Sequence, residues 1–425
     1  MLRKWMIPNG LWIVMKEMPH ADLVGISLHI KGGARCDSEK SLGIAHFLEH
    51  VFFRGTEKYP DRETLNALVE ADGGYWNAMT SHEKICCLTC VFPESVEKSF
   101  DAISQMVFHP LFREEDINIE RGAVLGEIDR STDDPENCAH ELYRQLAWGE
   151  HPVGRDILGT PEHVGRAARI DFLEYFEKCF YPGNMVLSVA GGISSEDVFE
   201  LCLKYFYDGD ANSRVRFAGE IFPSAKRIEM TEKDVTQVHA VLGTKALNWL
   251  SNGKDQKKTV PAMLLLDILG GSTRLFKKVR DEMGLVYTIY SSASVFTDGG
   301  SAYTYFAAEP VKALTSLKIT LDEYENVLKN GVTEEELRRA KLSLKRRYAE
   351  RKEKSLSVAV ANGGSEILTG ETLENDVEFK KYVEPVTLED LRSVAPELLN
   401  KENLFLALAG KIGDKAKEFE DILIS

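Results

Sequence analysis

At 425 residues, with 44% hydrophobic and 28% charged residues, the chain has the composition of a soluble globular protein and is too long for one simple core. Its formal charge of −15 argues against nucleic-acid binding as a main role, because phosphate contacts need a basic surface. No apolar run reaches the length of a transmembrane helix, so no membrane partner is expected.

The first ten residues include Arg3 and Lys4 but no sustained apolar segment and no small-residue cleavage site, so the expected location is the cytoplasm. Apolar or alternating runs predict strands at 12–16 and 24–31. Next comes Gly43-Ile44-Ala45-His46-Phe47-Leu48-Glu49-His50, a His-x-x-Glu-His pattern in a helix-compatible apolar run. On a helix, positions 46, 49 and 50 share a face, because residues three and four apart are neighbours. Two imidazoles one turn apart can share one Zn²⁺, and the carboxylate beside them can deprotonate a water. This is the inverted zincin order. A His pair on a helix is also a common surface or satisfied-core feature, so the motif draws its weight from the rest of the chain.

Residues 73–81, Gly-Gly-Tyr-Trp-Asn-Ala-Met-Thr-Ser, read as a glycine-rich turn that enters a strand. The following predicted strand, 84–91, carries Cys86, Cys87 and Cys90. No second Cys or His pair with zinc-finger spacing accompanies them, so they are expected to be buried reduced thiols. All seven cysteines precede position 203, and their usage fits a reducing compartment. Farther on, Glu120 and Glu127 stand seven apart and share one helix face. Ile119, Ala123 and Val124 are expected to frame them. Either glutamate could be the third ligand that a catalytic zinc needs, and both could equally be solvated.

The chain contains itself twice. Residues 183–194, Gly-Asn-Met-Val-Leu-Ser-Val-Ala-Gly-Gly-Ile-Ser, are echoed 219 positions later at 402–413, Glu-Asn-Leu-Phe-Leu-Ala-Leu-Ala-Gly-Lys-Ile-Gly. Each is an apolar strand closed by a glycine turn and followed by an amphipathic helix. The helix starts near Phe92 and Ala308, and the acidic first turns near Arg113 and Thr333, are echoed likewise. Further strands are predicted at 185–190, 237–243, 302–308 and 404–409. The expected fold class is therefore α+β: two tandem homologous α/β units, each a mixed, mostly antiparallel sheet with helices packed on one face. The halves are expected at 1–216, carrying the metal motif, and 217–425, with a join in the turn-rich stretch 208–224. The second half has Leu266-Asp267-Ile268-Leu269-Gly270 where the first has the motif, and Arg347 stands 220 residues after Glu127.

Exactly 76 residues separate His50 from Glu127, and with this spacing the chain resembles the pitrilysin-type (M16) metallopeptidases. The resemblance implies that His46, His50 and Glu127 bind Zn²⁺, that Glu49 is the general base, and that Glu120 supports the site from outside the ligand set. It also implies that the strand entered through Gly73-Gly74 is an edge strand, on which Asn77 and Ala78 align an extended peptide by backbone pairing. In the second half, Arg280 and Tyr287 match the family's Arg-(six residues)-Tyr pair, which implies roles in gripping the substrate backbone and the developing oxyanion. The chain is similar to the half-length branch, like the beta subunit of the mitochondrial processing peptidase and its bacterial counterparts. A chamber formed by two chains is expected from this, as a homodimer or as a heterodimer with a related chain. The implied activity is a zinc endopeptidase acting on unfolded peptides. A non-catalytic scaffold or partner subunit of such a complex is the alternative.

Overall fold

The structure is a computed structural model that describes residues 2–209, 214–217, 226–247 and 256–424. Most of the expected join at 208–224 lies outside the described residues. The chain forms two compact units. The first comprises Met1–Ile128, Arg155–Ala218 and Tyr348–Asn375; the second comprises Asp129–Gly154, Gly219–Arg347 and Asp376–Ser425.

The first unit is built on a six-stranded sheet of β1 (Leu2–Met6), β2 (Trp12–Glu17), β3 (Val24–Lys31), β4 (Tyr75–Thr80), β5 (Lys84–Val91) and β6 (Met185–Gly191). The order is β1-β2-β6-β3-β5-β4. All neighbours are antiparallel except β2 and β6. Helices α1 (Ile44–Phe52), α2 (Arg62–Glu70), α3 (Val96–Phe108), α4 (Glu114–Asp133), α7 (Arg169–Cys179) and α8 (Ser195–Tyr205) belong with this sheet. Two more, α5 (Pro135–Trp148) and α6 (Pro161–Arg166), fall between α4 and α7 in the chain. Strand alternation sorts the side chains. Ile26, Leu28, Ile30, Leu187 and Val189 share one apolar core with Phe47, Phe100, Val124, Phe172 and Val198 of the helices.

The second unit repeats the plan with β7 (Ile228–Glu232), β8 (Val238–Leu247), β9 (Val286–Phe296), β10 (Gly299–Ala308) and β11 (Leu404–Gly410). Their order is β7-β11-β8-β10-β9, with only β7 and β11 parallel. Helices α9 (Gln256–Gly270), α10 (Pro310–Asn330), α11 (Glu334–Lys352), α14 (Leu388–Leu399) and α15 (Ala416–Ile424) follow the same plan. Between α11 and α14 the chain forms α12 (Ser355–Thr369) and the single turn α13 (Asn375–Glu378).

The sequence echo at 183–194 and 402–413 is the pair β6 and β11 with their exits. Gly191 and Gly410 both have positive φ, 148° and 140°. A Cβ on either would press into the start of the neighbouring strand, 2.7 Å from Val24 Cα in one case and 2.9 Å from Val238 Cα in the other. Only glycine meets both demands, which is why it recurs there.

The α+β class with two mixed sheets holds, and each sheet has a further cover that the sequence pattern did not suggest. The face of the first sheet opposite its main core packs on α12, a helix from the second half of the chain, through Val14, Val186 and Ile367 and through Ala190, Val358 and Ala359. The second sheet is covered in the same way by α5, from the first half. Ala139, Tyr143, Leu146 and Trp148 of α5 bury against Val241, Tyr305, Ala407 and Ala409. Tyr143 also donates to the carbonyls of Thr244 and Ala302, each at 3.0 Å. Each large apolar side chain so buried contributes about 1.5–3 kcal/mol, so the exchanged helices are integral to the units they complete.

Candidate metal centre

The His-x-x-Glu-His segment is helical, as its pattern predicts. It forms α1, buried on its apolar face through Ile44, Ala45, Phe47, Leu48, Val51 and Phe52. That burial turns His46, Glu49 and His50 to the other face, where all three are half-buried. The rings of His46 and His50 lie edge to face with centroids 4.8 Å apart.

Helix α4 brings Glu127 to this pair. Its Oε2 lies 3.4 Å from His46 Nε2 and 3.5 Å from His50 Nε2. One donor atom from each of the three residues lies within 4.8 Å of the others. The two nitrogen–oxygen distances exceed those of ordinary hydrogen bonds. Two ligand atoms at ~2.0–2.1 Å from a tetrahedral ion stand ~3.3–3.4 Å apart, so two imidazoles and a carboxylate at this spacing fit a shared Zn²⁺.

Glu120, two turns earlier on α4, is buried. Its Oε2 accepts from His50 Nδ1 at 3.1 Å, and its Oε1 accepts from Arg54 Nε. A proton held on Nδ1 by this contact leaves the lone pair of Nε2 for an ion. The expected frame of α4 is corrected here. Ile119 is 56% exposed and Ala123 is exposed as well, whereas Ile117, Val124 and Ile128 are buried beside the glutamates. A stripe spaced three and four apart, not the residues adjacent in sequence, defines the inner face.

Electrostatics separates the groups. Burial, with His50 beside it, lowers the His46 pKa to about 4, so the ring is neutral at pH 7. For His50, burial acts downward but is outweighed by Glu120, Glu127 and Glu49, and its pKa is raised. Burial raises the Glu49 carboxyl. Thr80 of β4 acts against this by donating its hydroxyl to Glu49 Oε2 at 2.5 Å. Glu120 is held low: burial opposes this, but the hydrogen bonds from His50 and Arg54 prevail. His46 Nδ1 is buried with no hydrogen-bond partner among the described residues, so packing alone orients that ring.

Strand β4 is the edge of its sheet. Its inward side chains are Trp76, which meets Phe53 edge to face at 4.9 Å, and Ala78. Tyr75, Asn77 and Met79 point outward and are exposed. Asn77 Oδ1 accepts from the Ala78 amide at 2.9 Å. In the second unit Arg280 stacks its guanidinium over the Phe276 ring at 4.6 Å and the Tyr287 ring at 5.8 Å. Tyr287, on β9, is 76% exposed. The structure thus gathers His46, Glu49, His50, Glu120 and Glu127 in one cluster and joins Arg280 to Tyr287 in a second. Sequence reading gave no role to Thr80 or Arg54. The signal was faint: Thr80 shares the inward parity of Ala78, and Arg54 follows His50 by four residues.

Residues 12–161 match the insulinase family, peptidase family M16, and residues 167–344 match the peptidase M16 inactive domain. A protein of Bacillus subtilis named an uncharacterized zinc protease is 31% identical over 418 residues, covering 97% of this chain and 99% of its own. One of Streptomyces coelicolor with the same designation is 30% identical over 97% of this chain and 90% of its own. This chain belongs to peptidase family M16. Among solved structures, a protease from Helicobacter pylori superposes with a TM-score of 0.85 at 20% identity, covering 96% of this chain and 99% of that one. A chain of complex III₂ from Candida albicans superposes with a TM-score of 0.82 at 15% identity, covering 99% of each. These likenesses show the fold.

As an M16 peptidase with relatives named zinc proteases, the protein takes Zn²⁺ as its cofactor. The second unit bears no such donor set among its described residues. At the positions that echo the metal motif and Glu127, Arg347 Nη1 pairs with Asp267 Oδ1 at 3.0 Å. A guanidinium and a carboxylate stand there in place of imidazoles and a glutamate.

Proposed function

We propose that this protein is a zinc endopeptidase in which His46, His50 and Glu127 hold the metal and Glu49 is the general base. The observation that carries the reading is the convergence of the two Nε2 atoms and Glu127 Oε2 beside a half-buried carboxylate. Zinc, when bound, acidifies water and polarises the scissile carbonyl. Glu49 takes the proton of the attacking water and later delivers it to the leaving amine. Thr80 fixes the carboxylate's orientation, and Glu120 fixes the His50 ring.

The substrate lies along β4 as an added strand, aligned by the backbone at Asn77 and Ala78, so that an unfolded peptide of almost any sequence is gripped. Tyr287 supplies a phenolic donor to the tetrahedral oxyanion, and Arg280 both grips the substrate backbone and holds the Tyr287 ring. The catalytic half is 1–216, and the Arg-Tyr half is 217–425. Two chains, most simply two copies, form the chamber that limits substrates to peptides and short polypeptides. The seven cysteines, none in a disulfide among the described residues, favour the cytoplasm. No helix among the described residues is long and apolar enough to cross a membrane.

Cleavage of a quenched fluorescent peptide library tests the reading, with mass measured by light scattering on the same sample. Cleavage that a chelator stops and Glu49→Gln abolishes is expected from a dimer. Zinc-independent cleavage, or equal cleavage by Glu49→Gln, contradicts it. Stoichiometric zinc with no cleavage of any peptide turns the assignment toward the scaffold.

A further inference from the structure

Helix α1 starts without a cap of its own. Its N-cap residue is Gly43, with φ of 85° and no side chain to serve the first amides. A capping serine or aspartate has no room there: a Cβ on Gly43 would lie 2.4 Å from the Leu158 carbonyl oxygen and 2.9 Å from Gly159 Cα. Helix starts need an acceptor for these amides, and a carboxylate there also meets the positive end of the helix dipole. Asp37, six residues upstream, provides it. Its Oδ2 accepts from the Gly43 amide at 2.7 Å and its Oδ1 from the Ala45 amide at 3.1 Å.

Asp37 is only 6% exposed. Burial pushes its carboxyl well above the usual range, and the two amides act against that push. The backbone just before it is tied down as well, since Lys178 Nζ of α7 donates to the Cys36 carbonyl at 2.7 Å. The anchored amide of Ala45 directly precedes His46, the ring whose Nδ1 has no partner among the described residues to orient it. Among the described residues, the position of His46 Nε2 near Glu127 therefore depends on the helix backbone and on packing rather than on a hydrogen bond to Nδ1.

We propose that Asp37 is a positioning residue for the metal helix: its carboxylate replaces the cap that Gly43 cannot supply and fixes the turn that carries His46. This rests on the reading of His46, His50 and Glu127 as zinc ligands. Asp37 touches neither metal nor substrate.

Zinc affinity of the metal-stripped protein, measured against a competing chromophoric chelator, tests it in Asp37→Ala, Asp37→Asn and His46→Ala beside the wild type. The expected result is about tenfold weaker zinc binding in Asp37→Ala, with kcat lowered and KM for a quenched peptide nearly unchanged. Asp37→Asn keeps one carbonyl acceptor and should lose less. Should Asp37→Ala not fold, weakened zinc binding in a folded Asp37→Asn supports the proposal and wild-type affinity there overturns it. Folded variants that bind zinc and turn over as the wild type does also overturn it, as does an Asn variant no better than Ala. If His46→Ala binds zinc as tightly as the wild type, the ligand assignment itself fails, whatever Asp37 does.

Discussion

Replacing Glu120 by glutamine probes the support of the metal centre most sharply. The carboxylate serves two donors at once, His50 Nδ1 at 3.1 Å on one oxygen and Arg54 Nε on the other. An amide has a single acceptor oxygen, so one donor must face an NH₂ group. A hydrogen bond to a charged group contributes about 1.5–3 kcal/mol. Both donors are only partly screened, with side chains 19% and 21% exposed for His50 and Arg54, so water recovers a minor part of the loss. If His50 loses its partner, its ring is free to turn and Nε2 is no longer held toward Glu127. The expected cost is about 1.4–2.7 kcal/mol in zinc binding, a 10- to 100-fold weaker affinity. Chelator competition on the metal-stripped protein measures this directly. Glu97→Gln is the control, because Glu97 pairs with Lys204 on the surface. Zinc affinity in Glu120→Gln within twofold of the control would refute the claim that this carboxylate orients His50.

Other outcomes follow from the same geometry. Thr80→Val removes the hydroxyl that holds Glu49 and should lower kcat about tenfold while zinc content and KM stay put; Thr80→Ser should restore it. Gly410→Ala places a Cβ 2.2 Å from the Gln237 carbonyl oxygen at a φ of 140°, and should destabilise the fold by about 2 kcal/mol or more in denaturant titration. His29 is fully buried, and burial, then the charge of Lys84, sets its pKa well below the ordinary value. The unfolded chain therefore binds the proton more tightly than the folded one. The stability this neutral ring leaves intact at pH 7 is lost as pH falls through the unfolded value near ~6.5 toward the lower folded one. Melting temperature should accordingly drop less between pH 7.5 and 5.5 in His29→Asn than in the wild type; an equal drop contradicts the assignment.

The cluster of His46, His50 and Glu127 was legible because its pattern is written locally or at a fixed distance: His46 and His50 one turn apart, and Glu127 after 76 intervening residues. The strands at 24–31 and 84–91 were legible because apolar runs and turn residues bound them, and both match the observed strands. The exchange of α5 and α12 was not. Each helix packs on a sheet whose strands are remote in sequence, and its own periodicity is the same whichever sheet it covers. The frame of Glu120 and Glu127 was misread at Ile119 because adjacency in sequence is not adjacency on a helix. The parts proposed for Asp37 and Thr80 rest on hydrogen bonds across 6 and 31 residues, which no short pattern encodes.

The most direct test of the central claim is the zinc content and peptide cleavage of the wild type, His46→Ala and Glu49→Gln, measured together on metal-stripped and zinc-restored protein. The account predicts about one zinc per chain and restored cleavage in the wild type, zinc without cleavage in Glu49→Gln, and neither in His46→Ala. Cleavage that survives in Glu49→Gln, or zinc that stays stoichiometric in His46→Ala, would contradict it.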